Sequence, residues 1–232
     1  MIEEPPLITV KQNLQRPSQA QIAAFQGVST GFVVDALFGD GALSGDIQPI
    51  GDGRDIDCNV AGPALTADCG PADILATVAA LNFVQPGDVM VSAFGGYQGC
   101  AAAGDSVMGM IQNNGGAGLV TDGPVRDYKG IVEVGLPVWC TGLTPASPYT
   151  SGPGKVGFAV QIGGQQVDSG DMVIADLDGV VIVPFDRIDE TIDNLGRVKE
   201  AEAIRDQAVA NGLKIPANIA DLLSSGKTKF IE

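Results

Sequence analysis

The sequence predicts an α/β fold: mixed central β-structure, flanked by helices and ending in a long C-terminal helix. Three observations carry this. Helical apolar spacing concentrates at the two ends of the chain, short apolar runs fill its centre, and the turn signals between those runs imply hairpins as well as crossovers. Hairpins beside crossovers favour an α/β or α+β arrangement over a regular βαβ winding. With 232 residues, 45% of them hydrophobic, the chain can bury a full core as one domain spanning 1–232.

The elements follow in order. Residues 18–27 read as a helix with Ser18 as cap and Gly27 as terminator, and Ser29 can cap a second helix from Gly31 to Phe38. Gly- and Asp-rich residues 39–60 read as an irregular connection with one short strand. A strand is expected at 61–67, then a helix over 71–83, where Ile74, Leu75, Val78 and Leu81 keep helical spacing and Pro71 suits a first turn. Pro86-Gly87-Asp88 turns into a strand at 89–92, and a glycine-rich segment follows at 94–99. A helix near 103–113, a strand at 117–121, a short helix after Arg126-Asp127 and a strand at 137–139 come next. Residues 144–154 form a Pro/Gly/Ser loop. Beyond it, Gly163-Gly164 marks one hairpin, and 176–179 turns between strands at 172–175 and 180–183. Residues 186–211 form a long amphipathic helix with Ile188, Ile192, Leu195 and Val198 on one stripe, and a last helix begins near Pro216.

The net charge of −15 excludes direct nucleic-acid binding, which needs a basic surface, but leaves room for a small anionic substrate at a locally positive site. The chain has no histidine, which removes the common zinc sites and histidine-based triads. Four cysteines without a Cys-x-x-Cys pair read as reduced thiols in a cytoplasmic protein. No apolar run is long enough to span a membrane, and Met1 to Pro6 is acidic rather than signal-like.

One constellation stands out. Twenty residues separate Asp105 from the pair Arg126-Asp127. Asp105 begins a helix, and Arg126-Asp127 lies in the loop after a uniformly apolar strand, the end at which α/β folds place their sites. Two carboxylates and a guanidinium suit a divalent metal and an anionic oxyacid. The free N–H groups of Ser106 and Val107, following Gly104, suit a carboxylate ligand. On the residues alone, Asp105 more commonly serves as the helix cap, and Arg126-Asp127 could equally be a solvated pair in an ordinary turn. Asp176 and Asp178 lack the spacing of a calcium loop and suit a β-turn. Gly95-Gly96 and Gly152-Pro153-Gly154 lack the Lys-Ser/Thr of a phosphate loop, and Cys100 and Cys140 have no histidine to activate them. Tyr97 is a candidate pocket-lining residue.

Asp105, the gap of twenty, and Arg126-Asp127 together resemble the Asp-X20-Arg-Asp signature of the RraA-like family. Thr30 to Leu37, Ala61-Gly62-Pro63-Ala64-Leu65-Thr66, Pro86-Gly87-Asp88-Val89, Asp122-Gly123 and Asp176-Leu177-Asp178-Gly179-Val180-Val181 fall in that family's order, over roughly 20–212. The resemblance implies a fold similar to the swivelling β/β/α domain, in a homotrimer or hexamer. It implies a class II aldolase acting on 4-hydroxy-4-methyl-2-oxoglutarate or 4-carboxy-4-hydroxy-2-oxoadipate, releasing pyruvate, with oxaloacetate decarboxylase activity. In that resemblance Asp127 binds Mg²⁺ or Mn²⁺ directly, and Asp105 acts through water. Arg126 contacts the keto oxygen, and Gly104, Asp105, Ser106 and Val107 receive the small anionic 2-oxo acid. A neighbour's C-terminal helix adds a glutamate through water, Glu202 by its distance from Gly212, with Glu200 as competitor. The family also contains non-catalytic regulators of a ribonuclease, which an acidic trimer resembles equally, and a related lyase on another oxyacid is a third alternative. No glycine-rich Rossmann fingerprint supports a methyltransferase.

Overall fold

The computed structural model describes residues 6–231, so the acidic residues 1–5 lie outside it. The chain divides after Leu195 into two units.

The first unit is built on β3 (Val60–Asp68), nine residues buried throughout except at the last. A strand buried on both faces reads as an unbroken apolar run, which is why the sequence marked it clearly. It pairs in parallel with β4 (Val89–Ala93), β4 with β5 (Gly118–Thr121), and β5 with β6 (Val138–Cys140). Helices α3 (Leu75–Ala80), α4 (Asp105–Asn113) and α5 (Tyr128–Val134) make the three crossovers. Residues 60–140 are thus a regular βαβ winding, where the turn signals had argued against one. One hairpin is added along the free side of β3, and a second forms a separate two-stranded sheet.

The first half of β3 pairs antiparallel with β10 (Met172–Asp176), which forms a hairpin with β11 (Gly179–Val183). Its end pairs with β7 (Gly154–Val156), a strand that begins inside the expected 144–154 loop. Strand β1 (Ile8–Val10), unanticipated in the sequence, lies parallel to β7, and β2 (Gln48–Pro49) lies against β6. β8 (Val160–Ile162) and β9 (Gln165–Val167) form the hairpin expected at Gly163-Gly164. The mixed α/β architecture is therefore the one the sequence predicts.

Helix ends follow local chemistry. α1 (Gln19–Phe25) starts with a Ser18/Gln21 capping box. α2 (Thr30–Ala36) is capped from a distance: the Thr30 N–H and hydroxyl donate to Asp176 at 2.9 and 2.8 Å. Asp176 also accepts from Asp178 N–H at 2.9 Å, so this acidic pair closes the β10–β11 turn. α3 starts at Leu75, later than the expected Pro71. Ala72 takes a left-handed backbone, and the Leu75 N–H is taken by Asp73 at 2.7 Å, which delays the helix.

α6 (Ile188–Ala210) buries Ile188, Thr191 and Leu195 in its first part, while Ile192 and Val198 of the same stripe are half-buried. The second unit, from Gly196, contains the rest of α6 and α7 (Ala217–Ser224), a helix with no buried residue that exposes Leu222 and Leu223. No helix among the described residues is long and apolar enough to cross a membrane.

Close approach of β3 to the turn before β4 makes a definite demand. A methyl group at Gly62 would lie 2.1 Å from the Gly87 carbonyl oxygen, a backbone atom that cannot swing aside. Gly62→Ala should destabilise the protein by about 1–3 kcal/mol, the cost typical of overpacking, read as a shift in the urea midpoint. A parental midpoint would contradict this account of the β3–β4 junction.

Candidate functional site

The site lies at the carboxyl ends of β4 and β5, where an open parallel sheet places ligands. After β4 the chain runs through the glycine-rich segment 94–99, which Asp122 pins: its carboxylate accepts from Phe94 N–H at 2.5 Å and Gly96 N–H at 2.7 Å. Residues 102–103 then run alongside 124–126. The Ala102 N–H donates to the Pro124 carbonyl at 2.7 Å, and the Arg126 N–H to the Ala103 carbonyl at 3.0 Å. Helix α4 begins directly after this pairing, so Asp105 stands beside Arg126 and Asp127.

Gly104 is the residue that lets them meet. A side chain there would lie 2.6 Å from Asp127 Oδ2 and 3.2 Å from Arg126 Nε. Gly104, not Asp105, is the helix cap: its backbone is extended, and its carbonyl accepts from Met108 N–H at 3.1 Å. Asp105 is the first helical residue, and its Oδ1 accepts from Ser106 N–H at 2.6 Å. The Ser106 N–H is therefore not the free donor that the sequence suggests, because a carboxylate one residue earlier reaches it first. Val107 N–H has no side-chain acceptor among the described residues. The Asp105 carboxylate rests on α5 at Gly130, where a side chain would lie 2.3 Å from Oδ2.

Asp127 has a left-handed backbone (φ 60, ψ 45), tolerable for Asp and uncommon for other side chains. It occupies the cap position of α5, yet its side chain makes no cap bond. The carboxylate turns instead to Arg126, with Nε to Oδ2 at 3.1 Å, and is 42% exposed, so it is accessible to a ligand. Arg126 Nη1 donates to Ser147 Oγ at 2.7 Å. Ser147 was not singled out in the sequence; it comes from the 144–154 loop, and only tertiary structure brings it here.

Asp73 ties down the far end of that loop, accepting from Ser151 N–H at 2.6 Å and Gly152 N–H at 3.0 Å. Burial opposes its charge, but backbone donors at Leu75, Ser151 and Gly152 outweigh burial and hold the carboxyl below its usual range. The cysteines stand apart from this chemistry. All four are free and buried, and burial pushes their thiols up, Cys140 to about 11.

Among the described residues no group of three or more Cys, Asp or Glu side chains is gathered as a metal cage. The accessible oxygen donors are Asp127 and Asp105. A single direct carboxylate with water completing the shell suits a hard cation such as Mg²⁺ or Mn²⁺, and the cradle opened by Gly104 sets Asp127 Oδ2 in place. Two carboxylates against one guanidinium leave the set net anionic; a divalent cation would reverse its sign and favour an oxyacid. Glu202 lies on α6 in the second unit, where its carboxylate pairs with Arg205 at 2.7 Å.

Fold and site together define an α/β protein in which two acidic residues and an arginine gather at a helix start. The family model for RraA-like proteins (Aldolase/RraA) matches residues 30–182. A Halalkalibacterium halodurans protein named "Putative 4-hydroxy-4-methyl-2-oxoglutarate aldolase" is 31% identical over 199 residues, 84% of this chain and 93% of its own length. The crystal structure of Streptomyces coelicolor RraAS2, described as an unusual member of the RNase ES inhibitor RraA protein family, is similar with a TM-score of 0.73 and 31% identity, covering 84% of this chain and 99% of that one. A crystal structure of an uncharacterized protein from Pseudomonas syringae pv. tomato shares the fold at a TM-score of 0.74 and 23% identity, over 89% and 95% of the two chains. The chain belongs to the RraA-like family.

The state of Asp73 yields a pH test. A carboxyl depressed by folding stabilises the fold above its unfolded value, about 3.9, and loses that contribution as pH falls through the lower folded value. Hydrogen-exchange protection of the Ser151 and Gly152 amides, corrected for intrinsic rates, should hold on acidification to about pH 4 and fail below it. Loss of protection already near pH 5 would contradict the assigned direction.

Proposed function

We propose that this chain is a divalent-metal-dependent class II aldolase. It cleaves a 4-hydroxy-2-oxo dicarboxylic or tricarboxylic acid to release pyruvate, and decarboxylates oxaloacetate at the same site. The observation that supports this most is the convergence of Asp105, Arg126 and Asp127 around Gly104 at the start of α4.

In this reading Asp127 holds Mg²⁺ or Mn²⁺ directly, and Asp105 and Glu202 engage it through water. The cation supplies Lewis acidity toward the 2-oxo acid. The chain's own residues do the rest. The start of α4 from Gly104 to Val107 receives the substrate carboxylate, with the Val107 N–H and the helix dipole as its attraction. Arg126 faces the keto oxygen and offsets the negative charge that grows there as the carbon–carbon bond breaks. Asp105 Oδ1 is committed to Ser106, which leaves Oδ2 to accept, through water, the proton of the 4-hydroxyl. Loss of carbon dioxide from oxaloacetate develops the same oxygen charge and needs the same arginine.

The whole chain, 1–232, acts as one RraA-like domain in a homotrimer or hexamer, in which the C-terminal helix brings Glu202, or else Glu200, to a neighbour's site. Four free, buried cysteines support a reducing cytoplasmic setting. The similarity to RraAS2 favours a second reading, a non-catalytic partner of a ribonuclease. That reading gives no use to an intact acid–arginine set.

Pyruvate release from a panel of 4-hydroxy-2-oxo acids separates the two. Activity should vanish on chelation and return with Mg²⁺ or Mn²⁺, and Asp127→Asn should lose most of it with the fold retained. Arg126→Ala should lower kcat by about a hundred- to a thousandfold, and Arg126→Lys should recover only part, since an ammonium lacks the planar fork. Full activity after exhaustive chelation, or near-parental turnover by Arg126→Ala, would overturn the mechanism. Sedimentation at micromolar protein should show a trimer or hexamer; a monomer would remove the case for Glu202 acting across subunits.

A further inference from the structure

We infer that Ser147 is a positioning residue of this site, aiming Arg126 from a loop outside the Asp105/Arg126/Asp127 set. The inference rests on the aldolase reading above.

A guanidinium has three nitrogens in one rigid plane. In Arg126, Nε is held by Asp127 Oδ2 at 3.1 Å and Nη1 by Ser147 Oγ at 2.7 Å. Nη2 has no protein partner among the described residues. Fixing two nitrogens of a planar fork fixes the direction of the third, so Ser147 and Asp127 together point Nη2 at the ligand. Without Ser147 the group is tied at one point and can turn about it.

Ser147 is itself exposed; the loop around it supplies the rigidity.

 Its flanks are hydrogen-bonded on both sides. The Thr144 N–H donates to the Val125 carbonyl at 2.9 Å, and the Ala101 N–H to the Ala146 carbonyl at 3.0 Å. Beyond Ser147, the Tyr149 N–H donates to the Ala72 carbonyl at 2.8 Å, and Asp73 holds Ser151 and Gly152. The hydroxyl is thus carried on a backbone anchored to the same segments that carry the site.

The test reads pyruvate release and, separately, calorimetric binding of oxalate with Mg²⁺, oxalate being a planar dianion shaped like the pyruvate enolate. Ser147→Ala should lower kcat by about tenfold, the size expected for one hydrogen bond to a charged group, with KM nearly unchanged and oxalate binding weakened. Ser147→Thr, which keeps the hydroxyl, should restore both. Once Arg126 is alanine, adding Ser147→Ala should cost nothing more, because the serine acts through the arginine. The Tm of Ser147→Ala should stay near the parental value, since the residue is exposed. Parental kcat and oxalate affinity in Ser147→Ala would overturn the inference while leaving the aldolase reading intact, and so would an undiminished loss in the Arg126→Ala background. A parent protein that neither releases pyruvate nor binds oxalate would overturn the aldolase reading, and this inference with it.

Discussion

Two backbone hydrogen bonds bring the candidate site together. Ala102 N–H to Pro124 and Arg126 N–H to Ala103 lay the approach to α4 beside the loop after β5. Without them, Asp105 at a helix start and Arg126-Asp127 in a loop would be two unrelated features with twenty residues between them. Each such bond contributes only about 1 kcal/mol net, but Ala102, Ala103, Pro124 and Val125 are buried, so breaking the pairing would strand polar groups away from water. The pairing is therefore all-or-none in practice. It also explains Gly104: with the backbones this close, the space a side chain would need is filled by Asp127 and Arg126.

That closeness shapes the electrostatics. Arg126 is shared between a carboxylate of its own loop and a hydroxyl from the 144–154 loop, and so is oriented before any ligand arrives. Asp127 has a left-handed backbone whose cost the surrounding helix and loop must cover, and its side chain declines the cap bond that its position offers. An acid that does not cap its helix remains available to a cation. Asp105 is half committed, one oxygen to Ser106 and the other resting on Gly130.

How much of this the sequence revealed depended on range. The capping box of α1, the apolar run of β3 and the hairpin at Gly163-Gly164 are encoded within a few residues, and all were legible. Asp105, Arg126 and Asp127 were legible as candidates because their spacing matches a helix, a strand and a loop in succession. Ser147 was not, because its partner is 21 residues away and its place depends on Asp73, more distant still. The late start of α3 was hidden for a similar reason: periodicity around Ile74 favours a helix, but Ala72 in a left-handed conformation and the side chain of Asp73 prevent it. β1 and β7 each have three residues and exist only through pairing, so no local pattern announces them. The engagement of the Ser106 N–H is hidden in the sequence because the helix begins at Asp105 rather than being capped by it, which lets that side chain fold back onto the next amide.

The absence of histidine narrows the remaining chemistry. The buried thiols are pushed above their ordinary range, so they do not supply a base near neutral pH. Proton transfer at this site would therefore fall to carboxylates and water. A carboxylate is a weak base in isolation, and it becomes useful when the proton it takes has already been made acidic by positive charge nearby. Arg126 supplies fixed positive charge, and a divalent cation would add more. The fold concentrates that charge where two strand ends and one helix start converge. The acidity of the protein as a whole is compatible with a locally positive site, because the first is spread over the surface while the second depends on one arginine, one glycine and the contacts that hold them together.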